Sequence, residues 1–207
     1  MIKGKDIEKS LSLGCELTWA GVFAPDTFMR WMVLTLLMAS PAVADVCPAV
    51  PNHAAELAEL ISQAQNAPDE ATARQLNTLM WGLWRDAPDQ RAQELLDHGI
   101  ERREAYDFAA AYEALDELVS YCPEYAEGYN QRAFVQFLRS DYATALEDLE
   151  RALELSPTHI AALSGKALSL MGLGRMDAAQ ATLREALALN PWLPERSMLI
   201  EPAGEDI

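Results

Sequence analysis

The residues able to do chemistry are few and scattered. Three cysteines (Cys15, Cys47, Cys122) and three histidines (His53, His98, His159) stand far apart in a chain of 207 residues. No histidine has a second ligand-type residue at metal-site spacing, so each reads as a surface or seam residue, and no metal or other cofactor is expected. The chain holds no G-x-S-x-G, no P-loop and no G-x-G-x-x-G. The acids Glu147, Asp148, Glu150 and Glu154 stand beside Arg151 and read as a solvated helix face rather than an acid/base pair. No enzymatic activity is expected. Leu13-Gly14-Cys15 hints at lipid attachment, but Lys9 sits where an apolar run should be, and Cys47 after Asp45-Val46 has the wrong neighbours. Cys47 and Cys122 could instead pair with each other. A bond closing so long a loop stabilises by about 4 kcal/mol through chain entropy. The alternative is two unpaired thiols, with Cys122 acting as a small buried apolar residue. A redox-active role is not expected, since there is no C-x-x-C.

The charge is one-sided, at −16 overall. Residues 1–44 hold four basic and four acidic side chains, leaving 16−4 = 12 basic and 32−4 = 28 acidic ones in residues 45–207. Phosphate binding needs a basic stripe, so nucleic acid is not an expected partner. The acidity reads as a solubility device, with a basic partner as the lesser reading.

Residues 29–44 carry the three parts of a secretory signal: Arg30, an apolar run, and the small-x-small end Ala42-Val43-Ala44. The run is too short for a membrane span and is broken by Pro41. Cleavage after Ala44 into a bacterial-type periplasm is expected. Signals open a chain, so translation is expected to begin at Met29, with residues 1–28 an upstream extension. A buried core helix at 31–44 in a cytoplasmic protein is the competing reading.

The rest of the chain has a period. Pro123, Pro157 and Pro191 are spaced 157−123 = 34 and 191−157 = 34. Gly99, Ala133 and Ala167 keep the same step, as do Ala111, Ala145 and Ala179, and Leu115, Leu149 and Leu183. Such a period means one supersecondary unit per repeat. Small residues mark close backbone approach, large apolar ones fill the seam of two antiparallel helices, and proline closes the unit. Units are expected at 92–125, 126–159 and 160–193. A short leader, 45–53, precedes a further helical pair at 54–91, which reads as a degenerate terminal unit with Trp81 and Trp84 in the core of this cap, a binding patch at the two tryptophans being the competing reading. Pro194 opens a short capping helix, and 194–207 ends in a tail.

This pattern resembles the tetratricopeptide repeat family over about half the chain. The resemblance implies an all-α, right-handed α-α solenoid whose first helices line a concave groove. His98, Arg132 and Lys166 stand where the family often has leucine. Carried across position by position, the groove residues are Leu96, Ile100 and Arg103, then Asn130, Phe134 and Phe137, then Ser164, Leu168 and Met171. Members that grip the C-terminal carboxylate of heat-shock chaperones use basic residues and asparagines. Here those sites are Leu96, Ile100, Gln131, Ala161 and Gly165, so that clamp is not expected. An apolar groove of this kind suits an apolar or amphipathic segment of another protein, and the chain reads as an interaction module or scaffold. The alternative is a structural or self-assembling envelope component. Its groove would be filled from within by the leader or the C-terminal helix, or by a second copy in a homodimer.

Overall fold

The computed structural model describes residues 46–200. The expected extension at 1–28, the signal at 29–44 and residues 201–207, which include the expected tail, lie outside the described residues. Within them the chain forms eight α-helices and one 3-10 turn, with no strand. The helices are α1 (Ala54–Gln65), α2 (Glu70–Trp84), α3 (Gln90–Glu104), α4 (Phe108–Tyr121), α5 (Ala126–Leu138), α6 (Tyr142–Leu155), α7 (Ile160–Gly172) and α8 (Met176–Leu189). The 3-10 turn spans Pro194–Met198.

Helices α3 to α8 pair as α3/α4, α5/α6 and α7/α8, and each pair stacks on the next. The pairing follows from the 34-residue step. At Gly99 a Cβ would fall 2.5 Å from Leu115 Cγ, so α3 and α4 approach too closely there for any side chain. Ala133 and Ala167, at the same register, are fully buried. The turn inside each pair also repeats. Tyr106, Ser140 and Gly174 all have positive φ, at 60°, 62° and 71°. Asp107 and Asp141 follow the first two and cap the next helix by accepting from the backbone N–H of Ala110 and Thr144.

The basic residues at leucine positions have a structural answer. Arg132 Nη1 donates to Asp116 Oδ1 at 2.6 Å, and Lys166 Nζ lies 3.5 Å from Glu150. Both steps are one repeat (166−132 = 34, 150−116 = 34), so a cation on each first helix meets an acid on the preceding second helix. His98 is the corresponding residue of the first unit and is exposed. The position 34 before Asp116 is Gly82, which has no side chain to meet it. Arg132 goes further. Its Nε and Nη2 form a two-pronged bond to buried Asp148, at 2.8 and 2.6 Å.

The terminal pair α1/α2 forms a hairpin, but it does not continue the stack. Helix α2 hardly touches α3, and α1 packs instead on α8. Leu60, Ile61, Ala64, Leu76, Met80 and Trp84 share one buried cluster with Ile160, Leu163, Ala186 and Leu193 of the last unit. Gln65 Nε2 donates to the carbonyl of Ala188 at 2.9 Å, and Arg196 pairs with Glu70 at 3.1 Å. The hairpin therefore starts and ends at the first unit and has its tip at the third. A helix of 15 residues is about 22 Å long, and two interhelical steps of 8–10 Å span roughly the same distance. The hairpin is a strap across the stack, not a fourth layer.

The strap docks on one register position. Tyr125, His159 and Leu193 each close a unit (159−125 = 34, 193−159 = 34), and all three are buried. Tyr125 donates its hydroxyl to the carbonyl of Trp84 at 2.8 Å. The ring of His159 stacks on Trp84 at 4.3 Å and 14°. Leu193 enters the shared cluster. Burial, reinforced by the nearby carboxylates of Glu127 and Asp86, pushes the Tyr125 phenol far above its ordinary pKa, so it remains a donor.

The leader lies elsewhere. Cys47 is joined to Cys122 by a disulfide with its Cα atoms 5.2 Å apart. Cys47 and Val50 pack against the cluster shared by α3 and α4. The leader thus sits at the end of α4 and does not fill the groove.

Candidate functional site: the strapped groove

A cavity of about 430 Å³ lies between the strap and the first helices of the units. Of the groove residues read from the sequence, Ile100, Arg103, Asn130, Phe134, Phe137, Ser164 and Leu168 line it. The other two do not. Leu96 is fully buried between α3 and α4, because the interior of the first unit needs it as core. Met171 packs beyond the cavity, against the cluster of Leu146, Leu170 and Ala179.

Apart from the competing reading of the tryptophans as a binding patch, sequence reasoning missed the opposite wall. Asn77, Trp81 and Arg85 come from the strap and the residue after it, and Leu193, Pro194 and Glu195 from the chain after α8. The expectation that both tryptophans form the core of a cap therefore divides. Trp84 is buried in the strap's dock, while Trp81 is half-buried and faces the cavity, edge-on to Trp84.

Behind the cavity floor runs a buried polar chain. Glu127 is 1% exposed and accepts from three donors: Gln131 Nε2 at 2.5 Å, Asn130 Nδ2 at 2.9 Å and His159 Nε2 at 3.0 Å. His159 Nδ1 accepts from the backbone N–H of Ala162 and so caps α7, which places the ring proton on Nε2, facing Glu127. Arg103 donates to Gln131 Oε1 and lies over the face of Phe134, 4.8 Å from its centroid. Burial lowers the pKa of the Arg103 guanidinium from its ordinary value, with the carboxylates of Glu104 and Glu127 opposing, and it stays charged at neutral pH.

This chain orders the wall. A carboxylate can only accept, so Asn130 turns its amide nitrogen to Glu127 and its Oδ1 the other way. Asn130 also lies on the cavity wall. None of this is a catalytic arrangement. His159 is shut off from solvent, and both its nitrogens are used. Among the described residues no group of three or more His, Cys, Asp or Glu could hold a metal ion, and no helix is long and apolar enough to cross a membrane.

Residues 136–199 match the family model described as tetratricopeptide repeat. A TPR repeat-containing protein of Rhizobium etli is 30% identical over 147 residues, covering 71% of this chain and 67% of that one. Tetratricopeptide repeat protein 36 of Xenopus tropicalis is 34% identical over 125 residues, covering 58% of this chain and 61% of its own length. Among solved structures, the first TPR of Spaghetti bound to an HSP90 peptide superposes with a TM-score of 0.52 at 20% identity. It covers 53% of this chain and 86% of that one. At that identity the likeness is one of fold. The 34-residue register and the relative of Rhizobium etli agree: the chain belongs to the tetratricopeptide repeat family.

Proposed function

We propose that the protein is a non-enzymatic interaction module that holds a short apolar or amphipathic segment of another protein in its strapped groove, in the periplasm of the exporting cell. Tetratricopeptide repeat domains are protein–protein interaction modules. The observation that carries this reading here is Phe134. It is 44% exposed inside a concavity, beside half-buried Trp81, Phe137 and Leu168. A large apolar side chain left open in a cavity is the usual anchor of a bound ligand.

The strap limits the size of the occupant. A helix 10 Å across would use up about 430 Å³ in a single turn. An extended segment of a few residues fits the remaining space better than a partner helix. The concave face is thus already part-filled from within, by α1/α2.

The test is a pair of baits exposed to an extract of the native host. A protein retained by the wild type should be lost from Phe134→Asp by a factor of about thirty or more, as for a central anchor residue. Equal far-ultraviolet circular dichroism would show that the variant folds. Equal capture by both baits would remove Phe134 from the site.

The compartment rests on the signal-like stretch 29–44 together with the Cys47–Cys122 bond, since structural disulfides persist in oxidising compartments. Protein recovered from the native periplasm should begin at Asp45 and show no titratable thiol until reduced. Recovery from the cytoplasm with residues 29–44 attached would overturn the export reading.

A further inference from the structure

We infer that the segment taken by the groove carries a basic side chain next to an apolar one, with the cation held by Glu195. This deepens the peptide-binding reading above and rests on it.

The charges around the cavity are unevenly matched. At one end the two guanidiniums already have partners. Arg85 lies 3.3 Å from Asp97, and Arg103 is held by Gln131, Glu104 and the face of Phe134. The other end is marked by the Arg196–Glu70 pair, which fixes the 3-10 turn beside the start of α2. From there to Arg85 is 15 residues of helix, or about 22 Å, so Glu195 sits well away from the guanidiniums. Its neighbour Arg196 is committed to Glu70 and to the ring of Trp192.

Glu195 is a partly exposed residue of the cavity lining, and no ion pair or hydrogen bond reaches its carboxylate among the described residues, one oxygen, Oε2, being shut off from solvent as well. The hydroxyl oxygens of Ser164 and Ser169, on α7 and also on the cavity lining, have no partner either. Buried polar atoms without partners are rare in folded proteins, because each forfeits the hydrogen bonds it made to water. A ligand bringing an ammonium or guanidinium supplies the missing counter-charge to the Glu195 carboxylate. The −16 net charge draws such a ligand in from solution.

The purified protein is immobilised and exposed to a random pool of N-acetylated, C-amidated hexapeptides, and the retained peptides are sequenced by mass spectrometry. Lys or Arg within two positions of Leu, Ile or Phe should be enriched by roughly fivefold, the upper end for a partly exposed ion pair. Glu195→Gln should abolish the basic enrichment and keep the apolar one. Glu147→Gln removes the same charge from an exposed face of α6 and should leave both unchanged. Three results would overturn the inference: apolar peptides retained without basic enrichment, Glu195→Gln behaving as wild type, or Glu147→Gln losing the enrichment equally. If the pool yields nothing above a blank resin, the peptide-binding reading falls, and this inference falls with it.

Discussion

Trp84→Ala is expected to free the strap while leaving the three repeats folded. Trp84 is the residue through which α2 meets two unit-closing positions at once. Its carbonyl accepts the Tyr125 hydroxyl, and its indole covers the His159 ring. Its side chain is 6% exposed and belongs to the cluster joining strap to last unit. Removing a buried tryptophan costs about 3–5 kcal/mol in lost transfer energy and cavity. That loss should fall mainly on α1 and α2, because α2 hardly touches α3 and owes its position to the cluster. Hydrogen exchange separates the outcomes. Amides of α1 and α2 should lose protection, while those of α5 to α8 keep theirs. Trp84→Phe retains a ring against His159 and should lose much less. Uniform loss of protection along the whole chain would show that strap and stack are one cooperative unit, and loss below about 1 kcal/mol would show that Trp84 does not hold the strap.

The same residue shows where the sequence stopped being legible. The three repeats were readable because every signal that makes them recurs at one step. Pro123, Pro157 and Pro191 punctuate, and Gly99, Ala133 and Ala167 mark the close approach. That residues 54–91 hold a pair of helices was readable as well. Their destination was not. An apolar helix face fits the end of a solenoid or its flank equally well, and nothing local distinguishes the two. The one available signal was at Tyr125, His159 and Leu193, where a large side chain stands just ahead of α5, α7 and the 3-10 turn, a position that turned out to be the dock. Groove positions fared better toward the middle of the stack. Asn130, Phe134 and Phe137 line the cavity, whereas Leu96 of the first unit is core and Met171 of the last lies beyond the cavity end. Position-by-position transfer assumes an open concave face, and the strap makes this one shorter. The buried chain from Arg103 to His159 was invisible for a different reason. Its members lie on α3, α5 and at the start of α7, and only the folded stack brings them together.

Arg132→Leu restores the residue type that the family often has at this position, yet it is expected to destabilise by about 3–5 kcal/mol. The loss comes from what is left behind. Asp148 is 6% exposed and receives both prongs of the guanidinium, so a leucine leaves a buried carboxylate without its cation. Burial by itself would lower the Arg132 pKa, but the bond to Asp148 outweighs it and holds the guanidinium more firmly protonated than in water. Asp116, half-exposed, can turn to solvent and adds little. The rings of Tyr112 and Tyr129, 5.9 and 5.7 Å away, lose a cation over their faces. If this account holds, the pair matters as a pair. Arg132→Leu with Asp148→Leu should recover most of the stability, since apolar residues of similar volume can replace a buried ion pair at little or no cost. Urea unfolding of the wild type, both single variants and the double variant gives the coupling directly. A double variant as unstable as the sum of the singles would mean that Arg132 acts through its packing and its contact with Asp116 instead. Such additivity would shift the explanation to the repeated cation–acid step that Lys166 and Glu150 share, and Lys166→Leu should then cost a comparable amount.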